Sequence, residues 1–554
     1  MRVEKSALIG SLVTVIWWGL FDPTIVELAL AFAFLVLVPL SLKLAIATPP
    51  YSWTQSWLEK FSRYSLPFAI VAVMSLTIEV GVFFGLLAGV WFIFTGGISF
   101  FAFLQMLARG VRPAEETVID VGMLYIGVGG VWFVLSRIGA TSILPYSDVI
   151  VELTAIHFHY SAFVLPILTG VFGRWLYQQN AKKNKIGKPY TLLAFGIALG
   201  PILVAIGLDL GPPLEFYFVS IYVLFVFWLC GWWLLSVTRI RRVAGILVGI
   251  SAMVMISTMT LSLLYSLGLY MGTTIISIPD MIRWHGALNA FAFSFLALVG
   301  WLMISPQRRY EYSQFPISNL RGKGYVGSDV FSRFNWIDRE KTCKGLIGES
   351  WSVYNHHSFD STKLNPLIKE FYLDTSQFHM KAEVNWHKGW RTLSRFSYVM
   401  TKKMGQIQLP PSQSLIMTGK IIPIDDKLDG RRHVRAWVRK NEQTNEPIFS
   451  ALYSSHQTKE MTYMNIALPL TRGVMTGVLR SEHDDQNGLI LTSKRLEDNR
   501  GDEGIYLTFR KITVKTPLQE TFHITSNEGG ILKAKHQMTC FGLPFLTINY
   551  HLYK

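Results

Sequence analysis

The stretch VELTAIHFHYSAFVLP, residues 151–166, decides how this chain folds. With its flanks it forms an apolar run over residues 148–173, and a bilayer span needs about 20 mostly apolar residues. This run also carries Glu152, His157 and His159. Ionisable side chains inside a span are costly and usually face the interior of a helix bundle. We therefore predict a polar site within a membrane domain.

A second apolar run, residues 281–305, begins close to the sequence WHGALN. On a helix His285 and Asn289 share a face because they are four residues apart. In the other run, His159 shares a face with Glu152, whereas His157 points nearly the opposite way. The predicted metal-ligating set is Glu152, His157, His159 and His285, with Asn289, Asp280 and Arg283 as further polar candidates.

Apolar runs of this kind recur through the first 305 residues and predict a polytopic α-helical membrane protein with about ten spans. Residues 66–104 are too long for a single span, so we divide them into two. The expected spans are 6–21, 24–47, 66–82, 84–107, 117–137, 148–173, 190–208, 213–237, 243–270 and 281–305.

The distribution of basic residues predicts the orientation of these spans. With ten spans, most Lys and Arg residues of the loops fall on one side, and little beyond Arg137 and Arg283 falls on the other. Because basic loops stay in the cytoplasm, we expect both termini to be cytoplasmic and the protein to lie in the plasma membrane. Its first partner is then the lipid bilayer.

The composition changes after residue 305. Residues 1–305 hold 17 Lys and Arg against 13 Asp and Glu, whereas residues 306–554 hold 35 against 24. We predict a transmembrane domain over 1–305, a linker over 306–329 and a soluble cytoplasmic domain over 330–554. Nucleic acid is not an expected partner, because no basic run interleaved with aromatics and no helix-turn-helix signature is present.

The soluble part reads as a β-rich domain. From about residue 412, short stretches rich in β-branched residues alternate with turn signals such as Asn487-Gly488. Such spacing is typical of antiparallel strands joined by hairpins. About nine or ten strands favour an antiparallel meander curled into a barrel or half-barrel. A barrel of this kind can enclose a lipid or another apolar ligand.

The intramembrane histidines leave three kinds of chemistry open. Imidazoles with a carboxylate suit a transition metal, and paired imidazoles can ligate haem iron. A chain of Glu, His and Asp can instead relay protons in a transporter, and hydrogen bonding between helices is a purely structural role. No HExxH or phosphate-binding motif is present, and the three cysteines form no CxxC pair. Whether the protein is an enzyme stays open.

The pairing of HFHYSAFVLP (residues 157–166) with WHGALNAFAF (residues 284–293) resembles the YndJ-like family of Bacillus and its relatives. This resemblance implies a multipass plasma-membrane protein and supplies no mechanism. Our leading hypothesis is a metal- or haem-dependent enzyme or sensor. The alternatives are a proton-coupled transporter or lipid-handling protein, in which the β domain receives an apolar cargo, and a non-catalytic scaffold.

Overall fold

A computed structural model gives the fold as two compact units, Met1–Tyr312 and Ser313–Lys554. The structure describes residues 3–46, 53–77, 80–140, 144–179, 187–308, 315–348, 350–410, 414–496, 501–510, 512–527 and 530–554. The first unit is helical and the second is rich in β-strands. This division agrees with the change of composition near residue 305.

Within the described residues, nine helices are long and apolar enough to cross a membrane, which confirms a multipass protein. They are numbered here as spans one to nine in chain order. Their bounds are Val3–Phe21, Ile25–Ala45, Val82–Arg109, Ala114–Ile138, Asp148–Gln179, Lys188–Leu210, Leu214–Arg239, Arg242–Met271 and Ile278–Ile304.

The predicted span over residues 66–82 differs from the others. The described apolar helix there is Ser65–Met74, and its 10 residues are too few to cross about 30 Å of hydrocarbon. It follows a short helix, Trp53–Ser62, and span three begins at Val82. Glu79, expected in the turn before that span, lies outside the described residues. The run was correctly divided, but its first part is not a span-length helix.

Large aromatic side chains and small residues hold the helical unit together. Trp233 and Trp301 are fully buried and lie at 5.8 Å between ring centroids, with Phe172 packed against both. Gly130 of span four allows a close approach to span three, because an added Cβ would lie 2.2 Å from Thr95 Oγ1. Small residues at such crossings are typical of helix packing in lipid.

The second unit contains a closed antiparallel barrel, which confirms the barrel prediction. The strand order is β5-β4-β3-β2-β1-β12-β11-β10-β7-β6, and pairing of β5 with β6 closes it; β8 and β9 extend β6 as a hairpin. The strands are β1 (His379–Trp386), β2 (Ser414–Pro423), β3 (Arg435–Asn441), β4 (Pro447–Thr458), β5 (Met461–Pro469), β6 (Gly473–His483), β7 (Leu489–Thr492), β8 (Gly504–Phe509), β9 (Ile512–Lys515), β10 (Leu518–Ser526), β11 (Leu532–Cys540) and β12 (Leu543–Tyr553).

Strand β1 lies before the region that we expected to be β-rich. Its residues alternate between exposed and buried positions, and it pairs with β12 on one side and β2 on the other. Without β1 the barrel would stay open between the chain's last strand and β2. The helix Pro366–Leu373 packs against the same core, and its Phe371 and Tyr372 line the space inside the barrel.

Strand β3 shows how the barrel separates its two faces. Trp437 and Arg439 point into the barrel, whereas Ala436 and Val438 pack outside against an apolar cluster that includes Phe331. Side chains alternate along a strand, so a strand covered on both faces is apolar at most positions. The segment before the barrel, which carries Phe331, therefore forms a second layer over the outer face of β3.

Candidate functional site

The predicted intramembrane residues lie on spans five and nine, and both spans depart from regular α-helix there. Span five changes to a π-helical turn at Tyr160–Val164, directly after His159. Span nine is π-helical over Met281–Gly286 and Leu288–Ser294, and span two over Ala33–Leu37. The π segments of spans five and nine contact each other. Such turns are rare and often occur at functional sites.

His159 is fully buried, and both of its ring nitrogens have partners. Trp91 Nε1–H donates to His159 Nε2 at 3.0 Å, so Nε2 is the acceptor. Nδ1 then carries the proton and donates to the carbonyl oxygen of Ala155 at 2.8 Å. The ring also packs edge-on against Phe34. His159 therefore joins spans three and five and has no free nitrogen in this arrangement.

His157 has the opposite environment although it is only two residues away. Its Nδ1 donates to the carbonyl oxygen of Leu153 at 2.6 Å, which fixes the tautomer and leaves Nε2 with a lone pair. The side chain is exposed on the helix surface. Among the described residues, none forms a hydrogen bond to His157 Nε2. A histidine held in this way through Nδ1 presents Nε2 as metal-binding histidines do.

His285 is held in the same manner on span nine. Its Nδ1 lies 2.8 Å from the carbonyl oxygen of Thr258 on span eight. The Asn289 amide nitrogen lies 3.5 Å from each ring nitrogen, and Asn289 Oδ1 accepts from Thr258 Oγ1 at 2.7 Å. Thr258, His285 and Asn289 thus form one polar cluster between spans eight and nine. His157 lies on span five, near enough for its charge to act on His285.

The remaining predicted residues lie apart from this cluster. Glu152 Oε1 is 3.9 Å from the Nη1 of the buried Arg137. Asp280 accepts a hydrogen bond from Ser277 Oγ at 2.5 Å at the start of span nine. The exposed Arg283 stacks over the ring of its neighbour Trp284. Across the described parts of the chain, no group of three His, Cys, Asp or Glu side chains is arranged to hold a metal ion.

A buried ionic network that sequence reasoning missed joins spans three, four and five. Glu116 pairs with Arg174 at 2.7 Å and with Arg308 at 3.1 Å, and Arg109 pairs with Asp120 at 2.7 Å. All five side chains are at most 6% exposed. The available signal was the spacing of Glu116 and Asp120, which are four residues apart and therefore share a helix face.

Arg174 also forms hydrogen bonds to the backbone at the C-terminal end of span two. Its guanidinium donates to the carbonyl oxygens of Leu44 and Ala45 at 2.8 and 3.1 Å. The last carbonyls of a helix have no partner inside the helix, so a cation here satisfies them and favours the negative end of the helix dipole.

The second candidate site is the interior of the barrel. It encloses a cavity of about 90 Å³ with mainly apolar walls. Besides three tyrosines, the ionisable side chains that reach this space are Arg439, Glu520 and His536. His536 Nε2 lies 3.2 Å from Glu520 Oε2, so these two form a pair. The apolar walls include Phe371, Met380, Phe449, Ile466, Phe522 and Leu552.

Comparison with known proteins gives the chain its family. The family model described as "YndJ-like protein" matches residues 28–293, which include the histidines of spans five and nine. The uncharacterized membrane protein YndJ of Bacillus subtilis (strain 168) is 34% identical over 485 residues, covering 87% of this chain and 86% of the relative. No solved structure matches the chain. On this similarity, which extends through both units, the chain belongs to the YndJ-like family of membrane proteins.

Proposed function

We propose that this membrane protein handles a small apolar ligand that it takes from the bilayer and binds inside its C-terminal barrel. The observation that carries this proposal is the cavity of about 90 Å³ inside the closed barrel. Ligand sites are typically concave and mostly apolar, with a few polar groups that orient the ligand. The barrel interior has this composition, with aromatic and aliphatic walls and a few ionisable groups.

The cost of an empty cavity supports a binding role. Protein interiors are close-packed, and unfilled space destabilises a fold by roughly 24 cal/mol per Å³. A cavity of about 90 Å³ therefore costs about 2 kcal/mol if it stays empty. An eight-stranded barrel is just wide enough for its side chains to fill or to hold one small ligand, and diameter grows with strand number. Ten strands close this barrel, so it has room to spare.

The bilayer is the natural source of such a ligand. The barrel belongs to the same chain as the span-length helices of the first unit, so it is always tethered to a membrane. Apolar molecules concentrate in the hydrocarbon core because burial removes their surface from water. A cytoplasmic barrel, which the basic loops favour, is part of this proposal; it requires an even number of crossings, one more than the nine span-length helices of the described residues.

The test uses the full chain in lipid nanodiscs and a single-ring photoreactive probe, the trifluoromethyldiazirine derivative of benzyl alcohol. After illumination, we expect label on peptides of the cavity wall. Ala534→Phe places a ring in the cavity and should abolish that label, because Ala534 lines the space. Lys535→Phe is the matched control, since its neighbouring position is exposed on the outer face.

Label confined to the membrane spans, or label unchanged in Ala534→Phe, would reject the binding role. The two variants add the same ring one residue apart on β11, so they separate filling of the cavity from a general effect of the substitution. Retained ellipticity of both variants shows whether the barrel still folds.

The pair His157 and His285 favours a second candidate function, in which the membrane unit holds a transition metal or haem iron. Each ring is fixed through Nδ1 to a backbone carbonyl. Two imidazoles from different helices suit haem iron, which takes axial protein ligands, better than a structural zinc site, which needs four ligands. The site would serve an enzyme or a sensor.

Elemental analysis and an absorption spectrum of the purified protein test this second candidate. We expect about one equivalent of metal or haem, lost in His157→Ala and in His285→Ala. His159→Ala is the control, because both nitrogens of His159 already have partners. A colourless protein without metal would reject the candidate and leave the barrel as the functional site.

A further inference from the structure

Arg439 is a buried cation at the wall of the barrel cavity. It lies on β3 and is only 8% exposed. Its guanidinium carbon lies 4.3 Å from the ring centroids of both Trp437 and Phe449. Its Nε forms no hydrogen bond in the described part of the chain. The two rings cover the guanidinium and the Tyr550 hydroxyl lies within its hydrogen-bonding reach, which leaves the Nε–H of Arg439 unpaired among the described residues at the wall of the cavity.

Two other buried arginines of the same unit have carboxylate partners. Arg431 pairs with Asp429 at 2.6 Å, and Arg480 pairs with Glu503 at 2.6 Å. No carboxylate lies within ion-pair distance of Arg439 among the described residues. A buried charge is costly unless it is paired and hydrogen-bonded. Contacts with aromatic rings compensate only part of that cost.

Among the described residues, the other polar groups near Arg439 form no ion pair with it. Glu520 also reaches the cavity, but its Oε2 is engaged by His536 at 3.2 Å. The Tyr550 hydroxyl can accept a hydrogen bond from Arg439, and Tyr453 interacts electrostatically with Arg439 and Glu520. Burial raises the pKa of Tyr453 to about 12, so its phenol stays uncharged at neutral pH. In the described part of the chain, Arg439 thus lines a mainly apolar space with no carboxylate at ion-pair distance.

We infer that the ligand of the barrel is a small apolar carboxylate whose anionic group binds the guanidinium of Arg439. This inference rests on the proposed binding role of the barrel and specifies the ligand's chemistry. Guanidinium and carboxylate form planar, bidentate pairs. A cavity of about 90 Å³ is of the order of those that hold a single ring. A lipid with two acyl chains is too large for it.

The experiment compares two matched probes on the full chain in nanodiscs, the trifluoromethyldiazirine derivatives of benzoic acid and of benzyl alcohol. They share ring and photoreactive group and differ in charge. In wild type, we expect the acid to label the cavity at about tenfold lower concentration than the alcohol, as a charge-assisted hydrogen bond predicts.

Two substitutions at Arg439 and one control separate charge from geometry. Arg439→Gln should remove the preference for the acid and leave labelling by the alcohol. Arg439→Lys keeps the charge without the fork of donors and should retain part of the preference. Arg432→Gln changes the net charge equally at an exposed position and should leave the preference intact.

Each other outcome overturns a defined part of the argument. Equal labelling of wild type by acid and alcohol rejects the carboxylate and keeps the apolar cavity. A preference that persists in Arg439→Gln places the anion elsewhere and also rejects the inference. Absence of cavity label from both probes rejects the proposed binding role itself. If Arg439→Gln fails to fold, Arg439→Lys decides by whether the preference for the acid falls.

Discussion

Replacement of Glu116 by glutamine should destabilise the helical unit strongly. Glu116 carries the only carboxylate placed against both Arg174 and Arg308 in the described ion pairs, at 2.7 and 3.1 Å, and it is 3% exposed. Removal of one partner from a buried pair typically costs about 3–5 kcal/mol, because it leaves an uncompensated buried charge. We expect a loss in that range for Glu116→Gln.

The free energy of unfolding can be followed by ellipticity at 222 nm during titration with SDS, because the helical unit dominates that signal. Glu4→Gln is the matched control: Glu4 pairs with Lys43 at 3.0 Å, but both side chains are substantially exposed. Exposed pairs contribute below about 1 kcal/mol. If Glu116→Gln costs no more than Glu4→Gln, the buried network does not stabilise the fold.

A double-mutant cycle identifies the source of the loss. In Glu116→Gln/Arg174→Gln both members of the closest pair are removed, so the combined cost should be less than the sum of the two single costs. Arg174 also bonds to two backbone carbonyls, so its own substitution should be costly as well. Strictly additive costs would show that Glu116 and Arg174 do not interact, contrary to the structure.

Three further predictions concern single contacts. Asp484→Asn should destabilise the barrel at pH 7, and acid titration should show its difference from wild type shrinking as the pH falls. Burial raises the pKa of Asp484, but hydrogen bonds from His523 and backbone amides outweigh burial and lower that pKa, so this contribution to stability is lost when the carboxylate is protonated. Gly170→Ala should cost about 1–3 kcal/mol in SDS titration, because its Cβ would lie 2.4 Å from the carbonyl oxygen of Glu115; the unobstructed Gly19→Ala should not destabilise. Trp91→Phe should cost about 1 kcal/mol in the same assay, since the acceptor of its hydrogen bond is left unpaired.

The spans could be predicted because their signal is local. About 20 apolar residues in sequence are both necessary and sufficient for a candidate span. The same signal does not say where a helix breaks, and the run over residues 66–82 therefore looked like a full span. Its helix ends at Met74 instead, although the residues that follow are also largely apolar. Apolar composition predicts that a segment can lie in lipid, but it does not predict at which residue the backbone leaves the helical conformation.

The candidate site shows the limit of sequence reasoning more clearly. The hydrogen bond between Trp91 and His159 joins residues 68 positions apart, and no sequence pattern in either helix predicts it. The spacing of Glu116 and Asp120 was visible, but their arginine partners lie on other elements. Closure of the barrel likewise depends on β1 meeting β12 across more than 150 residues. The alternation of polar and apolar residues along β1 is visible in the sequence and could have predicted this strand.

Hydrogen bonding divides histidines that look equivalent in sequence. His159 donates and accepts, so its ring completes a contact between two spans and any further ligand would have to break one bond. His157 uses Nδ1 alone among the described residues, whereas the Asn289 amide nitrogen also lies 3.5 Å from His285 Nε2. A similar difference separates three buried arginines: Arg431 and Arg480 pair with carboxylates, whereas Arg439 lines the cavity with no carboxylate at ion-pair distance in the described residues. Buried polar groups are normally satisfied, so groups that keep bonding capacity beside open space are the ones from which function is best argued.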